Sequence, residues 1–209
     1  QRRSMGPRGR DLLARLMPLL LSFIEQQRGG VEVLKRVLAV FRQIVSRTAY
    51  LELLFENPKA LEQLVKLCGQ SGWLSEHLAR HPMLLDELID PEQLYRVATS
   101  TDYQDRLRVQ MLRIADDDLE GQMEALRQYK QAQQLRIAAA DISGMLPLMK
   151  VSDHLTWLAE AIMQHVVELA WQQMVDKYGY PVGAGAGERK AFAVIGYGKL
   201  GGLELGYGS

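Results

Sequence analysis

Gly196, Gly198, Gly201 and Gly202 fall within seven residues, directly after the unbroken apolar run Ala191-Phe192-Ala193-Val194-Ile195. Such a run reads as a buried strand, and Gly196-Tyr197-Gly198-Lys199-Leu200-Gly201-Gly202 as a tight loop delivered by it. The chemistry suited to that pattern is phosphate binding. Glycines let backbone N–H groups approach phosphate oxygens, and a helix start beyond them adds a favourable dipole. The spacing Gly196-x-Gly198-x-x-Gly201 also satisfies the dinucleotide-binding fingerprint, but the acidic residue that would confirm it falls about 20 residues on, past Ser209. Leu203 to Ser209 moreover breaks after about one turn, where a dinucleotide fold would continue its helix. A Gly-rich turn without a ligand is the plain alternative. Lys199 has two open readings, one facing phosphate and one facing solvent. Glu204 reads as a support of the turn.

Other residues with chemical potential are weaker candidates. His77 and His81 share a helical face, but no third ligand and no Glu base accompany them, so His81 reads as serving the helix break before Pro82. His154 and His165 lack a nucleophile partner. Cys68, with only Lys66 nearby, reads as a buried, inert thiol. Asp141 follows the narrow face Ala138-Ala139-Ala140. With Arg136, Lys150 and Asp153 it reads as an ion-paired helix junction, favoured over a direct ligand role because buried charges are usually paired. Trp73, Trp157 and Trp171 read as core or interface anchors.

The elements that must position these residues are mostly helices. Leu12, Leu13, Leu16, Leu19, Leu20 and Ile24 recur at three- and four-residue steps, with Pro18 predicting a kink or break and Gly29-Gly30 an end. A second helix runs from Val31 to about Arg47 and a third, short one from Thr48 to Phe55. Asn57-Pro58, His81-Pro82 and Asp90-Pro91 each read as a cap followed by proline at the first helical position. Asp90 with Gln93, and Thr101 with Gln104, have capping-box spacing. Asp116-Asp117-Asp118 open a long helix over Leu119–Ser143 that ends near Gly144 and Pro147, and Ser152 is expected to cap another from Asp153 to about Tyr178. The long helices are expected to pack as a bundle. Gly179 to Gly187 is rich in turn residues and reads as a linker.

Composition sets limits. Lys plus Arg and Asp plus Glu are both 25, so the zero net charge offers no broad electrostatic footprint for nucleic acid or an anionic membrane. A single cysteine rules out an internal disulfide framework and fits a reducing, cytoplasmic compartment. Leu19–Ile24 is too short to span a bilayer, and no signal-peptide pattern follows Gln1. The missing initial methionine and the stop at Gly208-Ser209, inside a Gly-rich turn, are the expected marks of a cut polypeptide.

The stretch Phe192-Ala-Val-Ile-Gly-Tyr-Gly-Lys-Leu-Gly-Gly-Leu-Glu-Leu-Gly-Tyr-Gly-Ser209 resembles the signature of the glutamine synthetase adenylyltransferase/adenylyl-removing enzyme family. The resemblance extends to Met5–Arg10, Thr48–Leu54, Leu135–Ile142 and Lys150–Glu160, nearly the whole chain. It implies a mainly α protein. A helical bundle over 1–178, of linker or regulatory character, and a flexible linker over 179–190 would lead into residues 191–209. Those would form the first strand and Gly-rich turn of a truncated polymerase-β-like α/β nucleotidyltransferase domain.

The resemblance further implies nucleotide contacts at Gly196, Gly198, Lys199, Gly201, Gly202 and Ser209, with ATP as donor. Two metal-binding aspartates would directly follow Ser209 and hold Mg2+ or Mn2+ for in-line attack at the α-phosphorus. Lys199 departs from the small hydroxyl residue of many nucleotidyltransferase turns. The Gly-Tyr-Gly-Lys form points to the half of such an enzyme that adds AMP. The implied partners are glutamine synthetase, the PII signal protein and glutamine as effector. On this reading the stretch alone transfers no AMP. Two rivals remain: a non-catalytic helical module that docks PII or glutamine synthetase, and a Rossmann-type dehydrogenase, which would need about three more helical turns after Gly202.

Overall fold

The computed structural model describes residues 5–181 and 192–208. Ten α-helices and one 3-10 segment are defined among them: α1 Pro7–Glu25, α2 Gly30–Ile44, α3 Thr48–Glu56, α4 Pro58–Gln70, α5 Gly72–Arg80, the 3-10 segment Pro82–Leu88, α6 Pro91–Leu94, α7 Ser100–Met111, α8 Leu119–Ile142, α9 Leu148–Tyr178 and α10 Gly198–Gly201. The mainly helical expectation therefore holds. No strand is defined among the described residues, and Phe192–Tyr197 has no regular secondary structure. A strand is stabilised by a neighbour's ladder of hydrogen bonds, and no such neighbour is defined here. Ala191, most of the expected linker and Ser209 lie outside the described residues.

The chain divides into two compact units, Gln1–Val97 with Gln131–Leu146, and Ala98–Lys130 with Pro147–Ser209. The first is built around α4. Ala60, Leu61, Leu64, Val65, Leu67 and Cys68 form one face of it, an arc of about 160°, and are all fully buried, while Lys59, Glu62 and Gln70 on the other face are exposed, the pattern of an amphipathic helix turned toward the core. It packs against α1, α2, α3, α5, α6 and the 3-10 segment. α1 contributes Leu12, Leu16, Leu20 and Ile24 and continues through Pro18, so the break that was one of the two outcomes expected there does not occur. α2 contributes Val33, Val37, Val40, Phe41 and Ile44. Its Arg36 Nη1 donates to the Cys68 carbonyl at 3.1 Å, satisfying one of the carbonyls left open at the end of α4. Burial, only partly offset by Ser75 and Arg36, pushes the Cys68 thiol pKa up to about 12, so it is an uncharged core group.

The second half of α8 completes this unit with Leu135 and the small residues Ala138, Ala139 and Ala140 buried. Arg136 is tied to Glu87, its Nε and Nη2 reaching the same Oε2 at 2.8 and 2.7 Å. Glu87 was not foreseen as its partner. His77 is buried, stacks on Trp73 with centroids 4.7 Å apart, and sets its Nε2 3.2 Å from the Gln131 carbonyl.

In the second unit α7 lies against α9, burying Tyr103, Leu107 and Met111 together with Val151, Leu155, Leu158 and Ala161. The Tyr129 hydroxyl donates to the Tyr103 carbonyl at 2.6 Å. The Tyr103 hydroxyl lies 2.9 Å from His154 Nδ1. Burial and the neighbouring Tyr129 raise the Tyr103 pKa, so the phenol keeps its proton in this contact with the imidazole.

That buried imidazole makes the unit sensitive to acid. Burial lowers the His154 pKa from 6.5, opposed by Asp153 and reinforced by Lys150. The unfolded chain takes up this proton near 6.5, the folded chain only at lower pH. The unfolded state thus binds more protons in that window, and stability falls as pH drops through it. His81, shifted in the same direction by burial and Arg80, adds to the trend. Urea titration should therefore give a lower midpoint at about pH 5.5 than at about pH 7.5; an equal or higher midpoint in acid would contradict it.

Several local starts differ from expectation. Asn57 precedes Pro58 as foreseen, but its amide donates back to the Leu53 carbonyl at 2.8 Å and does not cap α4. Asp90 does cap α6, accepting from the amides of Glu92 and Gln93. The capping box of α7 uses Thr99 and Asp102, two residues earlier than Thr101 and Gln104. α9 begins at Leu148, so Ser152 lies inside it, where its carbonyl accepts the Thr156 hydroxyl. His81-Pro82 opens a 3-10 segment in place of an α-helix. None of the described helices is long and apolar enough to cross a membrane.

Candidate functional site

Four of the glycines singled out by spacing, with Lys199 among them, come together in one turn. Tyr197 precedes α10 in extended conformation, and Gly198 takes φ +61°, where a side chain would be strained. Gly201 lies so close to the Gly196 carbonyl that a Cβ there would overlap its oxygen. The amide of Gly202 returns to the Gly198 carbonyl at 2.8 Å.

The turn then stops abruptly. The Leu203 amide bonds the Leu200 carbonyl at 3.3 Å and the Glu204 amide bonds the Lys199 carbonyl at 2.7 Å, the paired bonds of a Schellman motif. Leu203 occupies the left-handed position at φ 56°, a place usually taken by glycine. The helix thus ends after one turn. The long helix a Rossmann-type dehydrogenase requires is absent at this point, although no return to a strand is defined either. Ser209 lies outside the described residues.

This turn forms one wall of a groove of about 450 Å³ whose other wall is α9. The turn contributes Val194, Gly196, Leu200, Gly201 and Leu203; α9 contributes Glu160, Met163, Gln164, Val167 and Glu168. Glu160, Gln164 and Glu168 recur at four-residue steps, one face of the helix. They were missed in reading the sequence, although that spacing was there to be seen once the helix was assigned. Gln164 is held in a short relay: the Gln104 amide donates to its Oε1 at 2.8 Å, and its own amide donates to Glu168 Oε1 at 3.4 Å. Lys199 is exposed and is not part of the groove wall.

The other charged candidates are paired or capping. Lys150 Nζ meets Asp153 Oδ2 at 2.9 Å across one helical turn, while Arg136 has Glu87. Asp118, at the start of α8, accepts from the Gly121 amide at 2.9 Å. Beyond Ala161, α9 buries no further residue. A second groove of about 360 Å³ runs along it, with Ile162, Val166 and Leu169 facing Leu119, Met123 and Leu126 of α8, and Arg127 and Lys130 beside them.

The family model for glutamate-ammonia ligase adenylyltransferase matches residues 61–209. The chain belongs to the glutamate-ammonia ligase adenylyltransferase family. Similar curated proteins of this family are the bifunctional glutamine synthetase adenylyltransferase/adenylyl-removing enzymes of Idiomarina loihiensis, 59% identical over 209 residues, and Psychromonas ingrahamii, 55% identical over 209 residues. That of Shewanella frigidimarina is 55% identical over 208 residues. Each comparison covers 100% of this chain and 22% of the relative, so the chain spans less than a quarter of the length of those adenylyltransferases. The match takes in the Gly196–Gly202 turn and both α9 walls described above.

Proposed function

We propose that this chain is part of an enzyme that transfers AMP from ATP to a tyrosine of glutamine synthetase and removes it again by phosphorolysis, so regulating nitrogen assimilation in the cytoplasm. Its family membership carries this reading. Residues 1–178 act as the linker and regulatory body, 179–190 as a flexible linker, and 191–209 as the opening strand and Gly-rich turn of a polymerase-β-like nucleotidyltransferase domain. The exposure of Phe192 and Ile195 supports the last point, since an extended apolar run of this kind needs neighbouring strands to cover it.

Gly196, Gly198, Lys199, Gly201, Gly202 and Ser209 grip the triphosphate. The first amides of a helical turn have no acceptor within the turn, and Lys199 stands exposed beside them. In the reaction the tyrosine oxygen bonds to the α-phosphorus as the bond to the β-phosphate bridging oxygen breaks, and pyrophosphate leaves. Mg2+ or Mn2+, when bound, lowers the charge cost of that step. Among the described residues no group of three or more His, Cys, Asp or Glu side chains could hold such an ion. The work proposed for these residues is to bind and orient the nucleotide.

The test is transfer of labelled AMP from ATP to purified glutamine synthetase. A protein carrying this sequence at the full length of its relatives should label glutamine synthetase, whereas the 209-residue chain should not. No labelling by the long protein would refute the assignment. Labelling by the short chain would show that the catalytic carboxylates lie within it.

A second reading, of residues 1–178 as a docking module for PII or glutamine synthetase with glutamine as effector, is favoured by the apolar groove between α8 and α9. Binding of either protein to the chain without nucleotide would support it.

A further inference from the structure

From the distribution of charge around the Gly196–Gly202 turn we infer that the groove between this turn and α9 holds the ribonucleoside end of the nucleotide, with Glu160 and Glu168 accepting hydrogen bonds from its hydroxyl and amino groups. This rests on the reading of the turn as a triphosphate grip. Glu160 and Glu168 line the groove, whereas Lys199, the one cation of residues 192–208, lies outside its walls. Two carboxylates repel phosphate oxygens and attract neutral or cationic donors. A nucleotide gripped at the turn is thereby oriented with its phosphates on the Lys199 side and its sugar and base in the groove.

The remaining walls suit that end of the molecule. Leu200 and Leu203 from the turn, with Met163 and Val167 from α9, offer apolar surface to a flat base. The volume of about 450 Å³ lies within the range of about 300–1,000 Å³ typical of small-molecule pockets. The carboxylates stand eight residues apart on one helix, roughly 12 Å along its axis, a separation that matches the two ends of a nucleoside better than a single diol. The relay from Gln104 through Gln164 holds the Glu168 carboxylate in place, leaving its other oxygen for a ligand donor. The Glu160 side chain makes no hydrogen bond or ion pair among the described residues.

Calorimetric titration of the 209-residue chain with adenosine, ATP and inorganic tripolyphosphate tests this, comparing the parent with Glu160→Gln and Glu168→Gln. Both residues are exposed on the helix surface, and circular dichroism confirms that each variant folds. Adenosine and ATP should each lose about tenfold in affinity in the variants, the scale of a hydrogen bond to a charged acceptor. Tripolyphosphate should bind as before or more tightly. If tripolyphosphate binds but adenosine affinity is unchanged by both substitutions, the groove assignment falls and the phosphate grip stands. If neither ATP nor tripolyphosphate binds, both fall. If a tetralysine peptide binds the parent and loses affinity in the variants while adenosine does not, the groove takes basic polypeptide and the assignment is overturned.

Discussion

Leu64→Ala should cost the first unit about 2–5 kcal/mol of stability, read as a lower urea midpoint with an unchanged slope. The size follows from position. Leu64 is fully buried at the middle of α4, and α4 touches α1, α2, α3, α5, α6 and the 3-10 segment. Truncation removes apolar contact on several sides at once, and the surrounding helices close such a hole only in part. Leu21, almost half exposed on α1, is the control: its truncation to alanine should change stability by no more than about 0.5 kcal/mol. Similar losses at the two positions would mean that α4 is not the centre of this core.

The second large effect is functional. Gly201→Val places a branched side chain against the Gly196 carbonyl, where even a Cβ overlaps. The turn must open to admit it, moving the amides and Lys199 by the order of an ångström, a displacement that can lower a rate by about 100-fold. On the proposed function, AMP transfer to glutamine synthetase by a protein carrying this sequence at the full length of its relatives should fall by that order. The urea midpoint should stay near the parent value, since no residue of α10 is buried. Gly208, around which a Cβ meets open space, should tolerate alanine. Unimpaired transfer by the Gly201 variant would remove the turn from the active site.

The helices were legible because their apolar residues recur with the helical period. Leu12, Leu16, Leu20 and Ile24 are the buried stripe of α1, and Val33, Val37, Val40 and Ile44 that of α2. Caps were less legible, because several polar residues near each start compete for the same amides. Thr99 and Thr101 both fit, and only the placement of Asp102 decides between them. Asn57 looked like a forward cap but finds a nearer acceptor behind it. The partner of Arg136 was hidden for another reason: Glu87 lies 49 residues away, a distance no local pattern bridges. The glycine turn itself was readable, since close approach and positive φ select for glycine. The carboxylates opposite it were not, because their meaning depends on which helix face the turn adjoins.

Beyond Ala161, α9 is a partition with a groove along each side. One side presents Glu160 and Glu168; the other lies beside Arg127 and Lys130. A helix is stiff along its length, and its residues are spaced about 100° apart around the axis. It therefore cannot roll toward one groove without drawing its side chains away from the other. An occupant of the apolar channel beside Arg127 and Lys130 and one of the acidic groove would thus meet opposite faces of a single helix.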